Sequence, residues 1–230
     1  MSSHGRTRLP TNITPRFPTA PSLKLDLPLF FTSAGRVIDW SGKNCHGTIT
    51  GCVLTQGKFG FALYFDGTND HVDHGDTSKL LMQSYASAEV WASKHQDSND
   101  PDPFFYRADS FNFGFDSTGN QLMIDFDWQG DYEGSTGTAL DLNTWVWYGV
   151  VFRPPAEKIN WFRNGVLFDS NISTYNFNGG VNTFYLGYND IYGCHFKITM
   201  SRIRLYDKTL SESHMKRRYE QTWYDYARGS

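Results

Sequence analysis

Between roughly residues 46 and 206, short strand-like runs follow one another about ten residues apart, each bounded by turn residues. This cadence constrains the fold more than any other feature of the chain. Phe61, Leu63 and Phe65 alternate onto one face of such a run. Leu122, Ile124, Phe126 and Trp128 do the same, with Asp125 and Asp127 on the opposite face. Ser87–Ala92, Trp145–Phe152, Phe184–Tyr188 and Phe196–Tyr206 continue the series. Asn164-Gly165, between Ile159–Phe162 and Val166–Phe168, predicts a tight hairpin whose two central residues take positive φ. Turn signals such as Asp66-Gly67 and Gly179-Gly180 separate the runs. Strands at this spacing predict an all-β sandwich or barrel. One short C-terminal helix is expected after Ser211, a good N-cap, with acid early and base late in Glu212–Tyr219.

The flanks differ from this middle. Met1–Lys24 contains Pro10, Pro15, Pro18 and Pro21, with Arg6, Arg8, Arg16 and Lys24 and no acid. The prolines predict an extended basic arm over residues 1–24, either free or laid on a neighbouring subunit. The expected organisation is therefore this arm, a sandwich over 25–210, and a helix with an aromatic tail over 211–230. The arm has no apolar stretch after its basic residues, so a secretory signal is not expected. The expected location is extracellular or at a virion surface, reached by lysis. A formal net charge of −3 gives no general attraction to nucleic acid. No apolar run is long enough to predict membrane insertion. Cys45, Cys52 and Cys194 are too few for a disulfide scaffold. They read as reduced packing residues or, alternatively, as one bridge from Cys194 to Cys45 or Cys52.

Several blocks together resemble one family. Asp39-Trp40-Ser41-Gly42 with His46-Gly47-Thr48, and Gly57-Lys58-Phe59-Gly60 running into Leu63-Tyr64-Phe65-Asp66-Gly67, are similar to the opening of laminin-G-like domains. Glu89-Val90-Trp91, Trp147-Tyr148-Gly149-Val150, Phe162–Val166 and Ile203-Arg204-Leu205-Tyr206 come next in that family's order. The resemblance covers roughly residues 25 to 220. It implies the concanavalin A-like jelly-roll superfamily of lectins and glucanases: two curved antiparallel sheets. It implies no single function. It also places the His46-Gly47-Thr48 strand beside Phe196–Tyr206.

The resemblance further implies a structural Ca²⁺, for which Asp39 and Ser41 in the opening loop are the candidate ligands. Ser201 and Arg202 stand where relatives carry acids. Glycosidases of this fold place paired carboxylates on one strand. That motif is missing, and Asp125 and Asp127 are its nearest equivalent; both read more simply as the polar side of a strand. Glu89 reads as a hydrogen-bonded sheet residue, Trp91 and Trp147 as packing, and Lys216-Arg217-Arg218 as a solvated helix face. His71 and His74 are expected on opposite sides of a strand, a poor arrangement for a shared metal. A sugar site needs an exposed ring with carboxylate or amide oxygens beside it. Trp128, Asp131, Tyr132 and Glu133, read as an aromatic acidic loop, are the candidate ligand-binding residues.

These observations predict a non-catalytic binding or assembly module that recognises glycan or protein at a surface. An alternative is a virion structural protein, a capsid decoration or tail component. In that case residues 1–24 and 220–230 would contact neighbouring or identical subunits. A glycoside hydrolase or lyase is the third reading.

Overall fold

The computed structural model describes residues 22–29, 32–76, 78–80, 86–96, 101–107, 111–116, 121–125, 131–134, 142–153, 157–173, 183–190 and 193–227. The first strands are β1 (Leu23–Pro28), β2 (Thr32–Ser33), β3 (Arg36–Val37), β4 (Gly47–Thr50), β5 (Val53–Gly57), β6 (Gly60–Asp66) and β7 (His71–Asp76). Next come β8 (Ala86–Lys94), β9 (Asp102–Arg107), β10 (Phe111–Phe115), β11 (Leu122–Asp125), β12 (Asp131–Gly134) and β13 (Trp145–Phe152). The remainder are β14 (Glu157–Arg163), β15 (Val166–Ser173), β16 (Thr183–Leu186), β17 (Tyr188–Asn189), β18 (Cys194–His195), β19 (Lys197–Tyr206) and one α-helix, α1 (Glu212–Ala227).

Two large antiparallel sheets face each other. The eight-stranded sheet runs β15-β14-β13-β8-β19-β6-β5, with β1 also on β19. The nine-stranded sheet runs β12-β11-β10-β9-β16-β7-β4-β3-β2. Alternation drives the inward residues together: Leu63, Phe65, Val90, Phe104, Phe105, Phe113, Phe115, Trp161, Phe184 and Leu186 form one buried cluster. Phe61, at the start of β6, stays 61% exposed, although Leu63 and Phe65 of its strand are buried. All three cysteines are unbridged.

Two pairings depart from expectation. The strand Gly47–Thr50 pairs with β7 and β3 in the nine-stranded sheet. The neighbour of Phe196–Tyr206 is instead β1, in register Leu25↔Leu205 and Leu27↔Ile203. Leu25 and Leu27 bring two fully buried leucines to the core, whereas the core side of β4 offers only Gly47 and the partly buried Ile49. Second, β19 carries a bulge between Met200 and Arg202 against β8. A bulge shifts the alternation by one. Ile198 and Met200 before it, and Ile203 and Leu205 after it, therefore all face the core.

At the predicted hairpin, Asn164 and Gly165 do take positive φ, 50° and 76°. Asn164 also pins the turn to β13: its N–H donates to the Trp147 carbonyl at 2.8 Å, and its Oδ1 accepts from the Trp147 N–H at 3.0 Å. The helix starts as expected, with Ser211 Oγ accepting from the His214 N–H at 3.3 Å. It runs on to Ala227, so Trp223, Tyr224 and Tyr226 lie within the helix and not in a tail. Among the described residues no helix is long and apolar enough to cross a membrane.

Candidate functional site

The two sheets have very different outer faces. On the eight-stranded sheet, β8 turns Ser87, Glu89, Trp91 and Ser93 outward, and helix α1 covers much of that row. Ser87 guides the chain into the helix, donating to the Lys208 carbonyl at 2.7 Å and accepting from the Leu210 N–H at 2.9 Å. Phe59, Trp91, Trp147, Val151, Phe162 and Met215 then form a second apolar cluster under α1. Tyr219 stacks on Trp91 with ring centroids 5.6 Å apart. Close approach requires Gly149: a Cβ there would lie 2.6 Å from Met215 Cε. Trp91 and Trp147 are thus packing residues, as their strands suggested.

Beside that cluster lies a buried ionic ladder. Arg202 donates through Nε and Nη2 to Asp26 at 2.9 and 2.8 Å. Arg204 bridges Asp26 (3.2 Å) and Glu89 (2.7 Å). Arg218 reaches Glu89 from the helix at 3.3 Å. Only Lys216 and Arg217 of the basic run are solvated; Arg218 is half-buried and corrects that expectation. Burial works against the Asp26 carboxyl, but Arg204 and Arg202 outweigh it and hold it at about 2. Burial likewise opposes the Glu89 charge, and Arg218 with Arg204 keeps its carboxyl below the usual range.

Among the described residues the nine-stranded sheet has no such helix over it. Its register aligns outward residues in a transverse row: Thr48 beside Asp73, Asp73 beside Tyr185, Tyr185 beside Tyr106, Tyr106 beside Asn112, and Asn112 beside Asp125. Tyr106 and Asn112 are 5% and 3% exposed although they face away from the core, whereas Asp73, Asp125 and Tyr185 are half-buried. Asn112 Nδ2 donates to Asp125 Oδ2 at 3.2 Å. Its Oδ1 is buried and has no hydrogen-bond partner among the described residues. Such an atom requires an explanation, because buried polar groups are nearly always paired.

At one end the row meets four half-buried rings. Tyr185 and Tyr188 pack edge to face at 5.3 Å. Tyr188 stacks on His195 at 4.4 Å, across the β17–β18 ribbon. His71 lies 5.5 Å from Tyr188 and 6.0 Å from Tyr185. Burial, with Asp73 and Asp190 close by, pushes the Tyr185 hydroxyl above its usual range, so it remains a neutral donor. Rings, hydroxyls, amides and carboxylates therefore converge on one surface.

The sequence-predicted ligand residues fall at the far edge of this sheet. Trp128 and Asp127 lie outside the described residues. Asp131, Tyr132 and Glu133 belong to the paired edge strand β12 and not to a loop, opposite Asp125, Ile124 and Met123 respectively. Cross-strand pairing with β11 overrides the turn character of the flanking glycines. Asp131 thereby extends the transverse row by one strand. Sequence reasoning missed Tyr185, Tyr188 and His195, and it weighed His71 only as a metal ligand. The alternation of Phe184, Tyr185 and Leu186 was the available signal, since it turns Tyr185 away from two core residues.

Asp39 is engaged by the protein itself. Oδ1 accepts from the Asp26 and Ser41 N–H groups at 3.1 and 2.8 Å. Oδ2 accepts from Ser41 Oγ and the Cys45 N–H at 2.8 and 3.0 Å. Ser41 Oγ also approaches the Lys24 carbonyl at 3.2 Å. Calcium needs six to eight available oxygens. A carboxylate already accepting four hydrogen bonds does not fit that requirement, and Arg202 occupies the neighbouring acid position with its own cation. No group of three or more candidate metal ligands occurs among the described residues.

The chain belongs to the concanavalin A-like lectin/glucanases superfamily: the laminin-G-type family model matches residues 66–216. Curated proteins give no significant match. Among solved structures, it is similar to domain 4 of AbnA, a GH43 extracellular arabinanase from Geobacillus stearothermophilus, in complex with arabinotriose. The TM-score is 0.68 at 20% identity, covering 85% of this chain and 97% of that domain. The binding domain of Paraclostridial Mosquitocidal Protein 1 gives a TM-score of 0.66 at 14% identity, over 86% of this chain and 52% of that one. Botulinum neurotoxin type C, whose cell entry depends on two ganglioside molecules, gives 0.62 at 14% identity, over 87% and 51%. The chain thus spans nearly all of the arabinanase domain and about half of each toxin chain. These likenesses establish the sandwich fold. Of the expected arm over residues 1–24, residues 1–21 lie outside the described residues.

Proposed function

We propose that this chain is a non-catalytic glycan-binding module whose ligand lies across the outer face of the nine-stranded sheet. The observation that carries the reading is the transverse row from Thr48 to Asp125, with Tyr185 packed on Tyr188 within it and Asn112 Oδ1 buried and without a hydrogen-bond partner among the described residues. Sugar rings have apolar faces that stack on aromatic side chains and hydroxyls that donate to carboxylate and amide oxygens. Tyr185 and Tyr188 supply the rings; Asn112, Asp125 and Asp73 supply the oxygens. In this reading Asp131, in register with Asp125, and Glu133, two residues on, continue the row at the β12 edge, while Tyr132 is in register with the core residue Ile124. Support comes from the superfamily, from the arabinanase domain in complex with arabinotriose and from the toxin whose cell entry depends on gangliosides. A glycan is favoured over a protein partner because the row combines half-buried rings with carboxylate and amide oxygens.

Binding is calcium-independent in this reading, since the hydrogen bonds around Asp39 already use its carboxylate. The test is an oligosaccharide array followed by calorimetry on the strongest binder, in calcium and in chelator. Asn112→Ala and Tyr185→Ala are expected to weaken affinity at least tenfold in both conditions. Absence of any glycan binder, or unchanged affinity in both variants, would overturn the reading.

A further inference from the structure

The outer side of an edge strand is a row of unpaired backbone N–H and C=O groups. Proteins protect such edges with charges, prolines, bulges, covering segments or shortness. The two large sheets end on four strands, and three of them are protected. β2 is two residues long. β12 holds Asp131 and Glu133. β15 exposes Val166 and Ile172, but Asp169 lies between them and a bulge breaks its register at Trp161/Phe162. β1, off the main path of its sheet, is covered by Trp40, whose N–H donates to the Asp26 carbonyl at 2.8 Å. β5 is different. Val53-Leu54-Thr55-Gln56-Gly57 has no charge, no proline and no break in its register with β6. Val53 and Leu54 are 54% and 48% exposed, and Phe61, across from Gln56 on β6, is 61% exposed. Among the described residues no backbone hydrogen bond reaches the outer side of β5.

An open row of N–H and C=O groups flanked by apolar side chains selects an extended strand as its partner. The charge pattern selects which strand. Exposed Lys58 lies at the turn of the β5–β6 hairpin and exposed Asp66 at its open end. Lys197 faces Asp66 from β19, on the side away from β5. Two such hairpins laid antiparallel about a two-fold axis bring the Lys58 end of each beside the Asp66 end of the other. A strand without charge also meets its own copy without repulsion. Residues 1–21 suit the edge less well. Pro10, Pro15, Pro18 and Pro21 have no N–H to donate, and Arg6 and Arg8 repeat the charge of Lys58.

We propose that this chain forms a two-fold homodimer in which β5 pairs antiparallel with the β5 of a second copy. A register centred on Leu54 sets the two Leu54 side chains opposite each other and each Val53 opposite the other copy's Thr55. The two eight-stranded sheets then join into one. The axis stands perpendicular to the joined sheet, so both nine-stranded sheets lie on the same side of it. Two copies of the proposed glycan face are thereby turned toward one surface, where linked sites gain avidity. The interface itself does not depend on the glycan reading. The strand is short and the interface small, so the dimer is reversible and concentration-dependent.

The experiment is sedimentation equilibrium of the full chain from micromolar to millimolar concentration, with hydrogen exchange of the β5 amides alongside. A monomer–dimer equilibrium is expected, and the edge-facing amides of Val53–Gly57 should exchange more slowly as dimer accumulates. Leu54→Lys sets two ammonium groups at the axis and is expected to weaken the dimer by about tenfold or more. Its urea midpoint should match that of wild type at low concentration, where both are monomers. Lys58→Glu is expected to weaken the dimer less, with the difference from wild type shrinking at high salt. A chain that stays monomeric throughout, or a dimer indifferent to both variants, would overturn the proposal. Slow exchange of the edge-facing amides in the monomer would also overturn it, because another part of the same chain would then cover the edge.

Discussion

On the eight-stranded sheet the outward side chains include Glu89, Trp91, Trp147, Arg202 and Arg204; on the nine-stranded sheet they include His71, Asp73, Tyr106, Asn112 and Tyr185. The first set is closed by helix α1. Its apolar members are packed by Met215 and Tyr219, and its charges are paired from Asp26 through to Arg218. The second set has half-buried rings that pack on one another with no helix over them among the described residues; a buried polar atom without a hydrogen-bond partner among those residues occurs on both faces, Asn112 Oδ1 here and Glu89 Oε2 and Trp91 Nε1 under the helix. One outer face is therefore packed under a helix, and the other is the face on which we propose recognition. Chain connectivity produces the difference. Among the described residues only the segment after β19 forms an α-helix, and it returns over the sheet that β19 joins.

Perturbing each face in turn should expose this contrast. The largest effect is expected for Arg204→Ala, which leaves the buried carboxylates of Asp26 and Glu89 short of a partner. A loss of about 4 kcal/mol in urea unfolding is expected. Met215→Ala empties the space between α1, Trp91 and Trp147, and should cost about 3 kcal/mol. Acid should act on the same face. The Asp26 carboxyl is held at about 2 in the folded chain against a usual value of 3.8. A depressed folded pKa contributes stability that is fully present above 3.8 and is lost as pH falls through about 2, an effect of about 2 kcal/mol. Asp26→Asn should remove that part of the acid transition in a pH series of unfolding curves. The smallest stability change, under about 1 kcal/mol, is expected for Tyr185→Ala on the other face, where the side chain is only half-buried. If Tyr185→Ala unfolded the chain as readily as Met215→Ala, the two faces would not differ as described.

Local features were legible in the sequence because local chemistry determines them. Asn164-Gly165 made its hairpin because both residues tolerate positive φ, and Ser211 capped its helix. The ordered blocks around Asp66-Gly67, Trp147 and Tyr206 were sufficient to indicate the family. Non-local pairing was harder to read. Leu23–Pro28 lies over 170 residues from its partner strand, and no local pattern says that it, and not Gly47–Thr50, will lie beside β19. The bulge at Ser201 leaves a trace: Ile198 and Met200 are in one phase and Ile203 and Leu205 in the other. That change of phase turns Arg202 and Arg204 to the helix side. The candidate site was the least legible part. Its row draws residues from separate strands, and Tyr185, Tyr106 and Asn112 become neighbours only through strand register. Of the ligand residues the sequence did suggest, Asp131 joins the row through β11, a connection its loop-like flanks concealed.

Which face a glycan touches decides between recognition on the nine-stranded sheet and recognition elsewhere. The most direct measurement is backbone amide chemical-shift mapping of the labelled chain, titrated with the strongest array-selected oligosaccharide and with arabinotriose. Shifts centred on Asp73, Tyr106, Asn112 and Tyr185, with Trp91, Trp147 and Met215 unmoved, are the predicted result. Shifts centred on α1 and the outward residues of β8 and β13, with the Tyr185 row unmoved, would contradict it.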